Sequence, residues 1–386
     1  MTEPSLSLAM VAGEKSGDLL AADVLRGLTS DNHTVVAAGI GGSAMAQQGF
    51  DNWWHIDQLS VRGYAEVLAQ LPRLLRMRKA LRQRIQKWRP QLFVGVDAPD
   101  FNLDLELKLR AAGQRVVHFI GPSIWAWRRE RIEKIRAATD HVLLVFPFEQ
   151  AIYDQAGIAA TYVGHPLADQ IPLQVDVMAA RQHLGLNAEQ PVIALLPGSR
   201  PDEIRYMAAT FLATAQWLQQ RDPSLQFVLP AANTALRAQL DELVAADPAL
   251  QDLPLLICDG QAQHALAACD AALVASGTAT LETALFRKPM VIAYKMAWLS
   301  YRIMRNKGYL PYVGLPNILA GEFLVPEFIQ QQATPSALGQ ALLAQMEPNA
   351  QRARILARFA QMHESMRLGC AARAATVLRQ LAIAVR

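Results

Sequence analysis

The chain has 386 residues, 52% hydrophobic and 18% charged, enough apolar material for roughly two or three domains and too much for a disordered protein. Three scattered cysteines, Cys258, Cys269 and Cys370, form no C-x-x-C pair, which argues against a disulfide framework or a zinc–thiolate site and fits a reducing cytosol. The net charge of +3 is local, because Arg73, Arg76, Arg78, Lys79, Arg82, Arg84, Lys87 and Arg89 fall in one stretch without an acidic residue, and the remainder is net acidic.

The chain opens with Glu3 and no basic leader, and its apolar run ends by Gly13, so it reads as a first strand, Leu6–Ala12, rather than a secretory signal. A helix is expected over Gly17–Leu28, then strands at Thr34–Ile40, Leu92–Val96, Arg115–Ile120, His141–Val145 and Tyr162–Val163. Such nearly continuous apolar runs suit parallel strands buried on both faces. Pro72 is expected to start a helix whose Leu71, Leu74, Leu81, Ile85 and Trp88 form an apolar stripe. No apolar run is long enough to span a bilayer.

Around Gly164-His165-Pro166 the alternation pauses, and Pro166 and Pro172 break the chain before Val177. A second series follows, with strands at Val192–Leu196, Gln226–Leu229, Leu255–Ile257, Ala271–Ala275 and Pro289–Ala293. After Pro348 only helix is expected. The pattern predicts two doubly wound α/β domains, residues 1–168 and 169–347, facing a cleft, followed by helices over 348–386.

Chemistry is expected in the loops beyond the strand ends. Gly13-Glu14-Lys15-Ser16-Gly17-Asp18 follows the first strand but has neither Walker A nor G-x-G-x-x-G spacing. Ser16 and Asp18 could cap the next helix. Asp97 and Asp100 lie just past Leu92–Val96; one suits an N-cap and the other, Asp97 by preference, a general base. Pro122-Ser123-Ile124-Trp125-Ala126-Trp127-Arg128 offers two tryptophans, either for the core or for stacking on a sugar or acyl chain. His118 reads as core, whereas His165 is expected to face the cleft. In the second domain, Gly198-Ser199-Arg200 and Ser276-Gly277-Thr278 each end a strand and open a helix, an arrangement that favours anions. Glu282, expected in the first turn of the latter helix, either complements the helix dipole or binds a ribose diol. No metal-ligating cluster is visible, and no metal or cofactor is expected.

Val61, Tyr64, Val67, Leu68 and Leu71, beside Arg73 and Arg76, set apolar surface next to basic charge. A solvated helix face or contact with an anionic membrane are both open readings. Nucleic acid would also be drawn to that segment, but the acidic remainder predicts none as a partner.

The ordered set Gly13-Glu14-x-Ser16-Gly17-Asp18, Gly95-x-Asp97-Ala98-Pro99-Asp100-Phe101, Pro122-Ser123-x-Trp125-Ala126-Trp127, Gly164-His165-Pro166, Leu196-Pro197-Gly198-Ser199-Arg200, Ala275-Ser276-Gly277-Thr278-Ala279-Thr280-Leu281-Glu282 and Leu315-Pro316-Asn317 resembles the lipid-A-disaccharide synthase family from about residue 8 to the C-terminal helices. The resemblance implies a metal-independent, inverting GT-B glycosyltransferase. It would move 2,3-diacylglucosamine from UDP to 2,3-diacylglucosamine 1-phosphate, forming a β-1,6 disaccharide. Residues 1–168 would bind the acceptor and 169–347 the donor, and the helices over 348–386 would cross back to the first domain or onto a second subunit of a homodimer.

Under that reading Asp97 is the base. Gly198, Ser199, Arg200, Ser276, Gly277, Thr278, Glu282 and Asn317 bind the UDP moiety. Glu14, Ser16, Gly17, Asp100, Trp125, Trp127, Arg128 and His165 surround the acceptor. The enzyme would be cytoplasmic and peripheral on the inner membrane of a Gram-negative bacterium. The rival activity is a UDP-N-acetylglucosamine 2-epimerase on a similar scaffold, which would not explain the tryptophan loop.

Overall fold

Strands with no polar face form the middle of two parallel sheets. The structure, a computed structural model, describes residues 6–29, 34–59, 64–298, 301–302 and 308–383. In the first sheet β1 (Leu6–Ala12), β2 (Val35–Gly41), β3 (Asp51–His55), β4 (Leu92–Val96), β5 (Val116–Phe119), β6 (His141–Leu144) and β7 (Ala160–Tyr162) pair in the order β3-β2-β1-β4-β5-β6-β7. In the second, β8 (Val192–Leu196), β9 (Gln226–Ala231), β10 (Leu255–Asp259), β11 (Ala271–Ala275), β12 (Met290–Tyr294) and β13 (Glu327–Ile329) pair as β10-β9-β8-β11-β12-β13. Each order reverses once, between β1 and β4 and between β8 and β11. At these switch points adjacent loops diverge and leave a crevice for a ligand.

β3 and β13 were not expected. β3 reads Asp-Asn-Trp-Trp-His and lies half-buried at a sheet edge, so it lacks the apolar run that marks a central strand. β13 is a three-residue edge strand.

The chain divides into two units, residues 1–169 with 365–386, and residues 170–364. These divisions differ from the expected 168/169 and 347/348. In the first unit the helix Cys370–Ile383 lies along Lys15–Thr29. A Cβ on Gly27 would sit 3.3 Å from that of Ala375, so small residues set this close approach. Arg379 donates to the carbonyls of Gly27 and Leu28 at the end of the facing helix. Asp169 accepts the N–H groups of Gly369 and Cys370, securing the start of the returning helix.

Pro72 lies inside the helix Tyr64–Trp88 instead of starting it. Met77, Leu81 and Ile85 carry its buried stripe, whereas Leu71 is 43% exposed and does not belong to it. Several of its cations have partners within the unit. Arg78 pairs with Asp104 at 2.9 Å, and Arg84 stacks over the Trp53 ring at 4.1 Å. The basic stretch is therefore only partly a solvated face.

Candidate active site

In the first unit β1 and β4 are neighbours, which brings their carboxyl-terminal loops together. A Cβ on Gly13 would overlap that of Ala98, so the lack of a side chain at Gly13 lets the Glu14–Ser16 loop lie against the Asp97 turn. Glu14 and Ser16 are exposed, and Gly17 is buried. The helix begins at Lys15 rather than Gly17, and Asp18 does not cap it. The Asp18 carboxylate instead accepts from the N–H groups of Gly42, Ala44 and Met45 at 2.6, 3.0 and 3.2 Å, capping the short helix Ser43–Gln47.

Neither aspartate of the next loop is an N-cap. The cap of the helix Pro99–Arg110 is Ala98, which makes no side-chain bond. Asp97 and Ala98 both adopt left-handed backbone, φ 53° and 44°, unfavourable for residues with a Cβ. The Asp97 N–H donates to the Phe119 carbonyl at 2.8 Å, and its carbonyl accepts the Asn102 side chain at 2.8 Å. Asp97 is half-buried. Asp100 is exposed and paired with Arg131; Arg128 lies 3.9 Å away and stacks over Trp127 at 4.1 Å. This brings together Asp100, Trp127 and Arg128 and adds Arg131, signalled in the sequence only as a cation three residues past Arg128.

Two expected acceptor contacts are corrected. Trp125 is 8% exposed, packs edge-on against Phe146 and Phe148, and donates to Glu149 at 3.2 Å. It belongs to the core beneath its loop. His165 is also buried, with its ring against Phe146 and its Nδ1 accepting the Leu167 N–H. Burial disfavours its charged form and lowers its pKa to about 4, so His165 is a neutral cap at neutral pH.

In the second unit the switch point lies between the loops after β8 and β11. The first loop carries its own anion, because Glu203 Oε2 accepts the N–H groups of Ser199 and Arg200 at 2.8 and 3.2 Å. Those donors are not open to a ligand in this arrangement, contrary to expectation. A Cβ on Gly198, at φ 134°, would run into Glu203. A Glu three residues past Arg200 was the available signal for this internal cap. The Arg200 side chain is 77% exposed and meets Glu203 only loosely, at 3.6 Å.

After β11, the Ser276 N–H is committed to Ala293 and its hydroxyl to Val313. The anion-facing part of this loop is therefore Gly277 and Thr278, both exposed at the start of the helix Thr278–Leu285. Gly277 is at φ 149°, a conformation rarely adopted by other residues. Glu282 sits in the second turn, not the first, which removes the simple dipole explanation. Burial raises its pKa, opposed by a 3.4 Å hydrogen bond from Gln263.

Asn317 is fully buried and engaged. Its amide donates to the Val325 carbonyl and to Glu327 at 2.9 and 2.8 Å, and its oxygen accepts the Val325 N–H at 2.9 Å. The expected donor contact is thus corrected to a clamp. Glu327, missed in the sequence, accepts the N–H groups of Val313 and Gly314 beside the Ser276 loop.

Val61 lies outside the described residues, as do the side chains of Tyr64, Val67 and Leu68. Leu71 and Leu75 are 43% and 45% exposed, next to exposed Arg73 and Arg76. Among the described residues no helix is long and apolar enough to cross a membrane, and no three His, Cys, Asp or Glu residues form a potential metal site.

Solved structures share the fold at low identity. A glycosyltransferase from Rickettsia africae aligns with a TM-score of 0.58 and 11% identity, covering 98% of both chains. The UDP-GlcNAc 2-epimerase from Neisseria meningitidis aligns at 0.57 and 10%, covering 98% of this chain and 99% of the other. The fold is that of GT-B glycosyltransferases, but a scaffold also used by an isomerase cannot choose the reaction. Sequence does. The chain is 55% identical over 371 residues to the lipid-A-disaccharide synthase of Burkholderia lata, covering 96% and 95% of the two chains. It is 53% identical over 378 residues to that of Paraburkholderia phytofirmans, covering 97% and 96%. The family pattern described as Lipid-A-disaccharide synthetase matches residues 8–380, and the chain belongs to that family.

Proposed function

We propose that the chain transfers 2,3-diacylglucosamine from UDP to the 6-hydroxyl of 2,3-diacylglucosamine 1-phosphate, giving a β-1,6-linked disaccharide 1-phosphate and UDP. The observation that carries this reading is the family match over residues 8–380. The two switch-point loop pairs support a division of labour, with the acceptor on the first unit and the donor on the second.

The acceptor oxygen attacks the anomeric carbon opposite the diphosphate. Its proton passes to Asp97, and the bonding pair of the breaking C–O bond leaves with UDP. Asp97 suits the base because its carboxylate is not consumed in capping the helix. Arg200 and the N–H groups of Gly277 and Thr278 stabilise charge on the leaving diphosphate. Glu282 accepts from the ribose diol. Gly198, Ser199 and Glu203 shape the loop that presents Arg200, while Asn317 and Glu327 support the Ser276 loop from below. Glu14, Ser16, Trp127 and Arg128 contact the acceptor, and Gly17, Trp125 and His165 hold their backbones in place.

Both substrates carry acyl chains. Leu71 and Leu75, with Arg73 and Arg76, provide an apolar and cationic contact to an anionic leaflet.

The test is Asp97→Asn with both diacylated sugars, scored by UDP release and disaccharide mass. Turnover falls by about 10²–10⁴-fold while UDP affinity is retained. Turnover at the parent rate removes Asp97 as the base, and no disaccharide from the parent protein removes the activity.

A further inference from the structure

Beneath the Asp97 turn lies a polar cluster with no part in the steps above. Glu106 and His118 are both fully buried and meet at 2.7 Å, Glu106 Oε1 to His118 Nδ1. Asn102, on the same helix as Glu106 and also fully buried, donates to the Asp97 carbonyl. Gly95 faces His118 across the β4–β5 pairing. A Cβ on Gly95 would collide with Glu106 Oε1 and lie 3.1 Å from the Asn102 side-chain carbon Cγ. The sequence therefore gives up a side chain in a central strand to admit a carboxylate.

Burying these groups is costly unless each is fully paired. Here, among the described residues, Glu106 Oε2 and Asn102 Oδ1 have no hydrogen-bond partner. Apolar residues would fill the same volume at lower cost, so stability alone does not explain the cluster. Burial opposes a charge on His118, but the carboxylate of Glu106, and then that of Asp97, outweigh it and raise the imidazole pKa. Asp97 is thus electrostatically in reach of this ring, and its backbone is held by the neighbouring Asn102.

We infer that Glu106 and His118, with Asn102, are positioning residues for Asp97: they hold the left-handed Asp97–Ala98 turn so that the carboxylate meets the acceptor hydroxyl. The inference rests on the reading of Asp97 as the base. A carboxylate misplaced by about 1 Å loses on the order of 10²-fold in rate with little change in substrate binding.

Steady-state kinetics of Glu106→Gln, Asp97→Asn and the double variant separate the possibilities. Glu106→Gln is expected to lower kcat by about 10–10²-fold with KM for both sugars unchanged, and to add no further loss to Asp97→Asn. A parent-like kcat in Glu106→Gln, or losses that multiply in the double variant, overturns the positioning role while leaving Asp97 as the base. Parent-like turnover of Asp97→Asn overturns the underlying reading instead. His118→Asn is measured in the same cycle, so a folding failure of Glu106→Gln leaves a second variant to decide.

Discussion

Replacing Asn317 by Ala separates a ligand contact from a structural clamp. The substitution strips Val325, itself buried, of partners for both its N–H and its carbonyl, and takes one hydrogen bond from Glu327. A buried polar group left unpaired costs about 1–3 kcal/mol. Two such groups give about 2–6 kcal/mol, with a smaller addition from the partly exposed Glu327. For a unit of this size each kcal/mol lowers the melting temperature by roughly 2–4 °C, so the second unit should melt at least about 4 °C lower. Scanning calorimetry reads this directly. UDP titration at a temperature where the variant remains folded should show a secondary loss, because Glu327 fixes Val313 and Gly314 beside the Ser276 loop. An unchanged melting temperature with lost UDP affinity would refute the clamp and return Asn317 to the ligand.

Three further outcomes follow from the geometry. Glu149 is buried and its pKa is raised to about 7, chiefly by burial and partly offset by bonds from Phe146 and Trp125. The folded state thus holds this proton more tightly than the unfolded one. Stability should fall as pH rises from about 4.5 to about 7 and level off above, by about 3 kcal/mol; a Glu149→Gln variant whose urea midpoint shows the same pH dependence as the parent would contradict this. Arg200→Ala should weaken UDP binding by roughly 10–100-fold, the value of a charge-assisted hydrogen bond, and unchanged affinity by calorimetry would exclude Arg200 from the donor site. Leu71→Ser with Leu75→Ser should reduce binding to anionic phospholipid vesicles by roughly tenfold or more, whereas parent-like binding places any lipid contact elsewhere.

The central strands were legible because parallel strands covered on both faces need continuous apolar runs, as in Leu92–Val96 and Ala271–Ala275. The edge strands β3 and β13 were not, since a half-covered or three-residue strand leaves no such run. The order of motifs along the chain was likewise sufficient to identify the family. What the order of residues could not decide was which polar side chains are spent inside the fold. Asn317, His165 and Trp125 are residue types that bind sugars and nucleotides, yet here burial and partners within the fold consume them. Glu327 and the Glu106–His118 pair gave little local signal because their partners come from other turns and strands. A hydrogen bond is decided by where the chain brings donor and acceptor together, and that distance is a property of the tertiary structure alone.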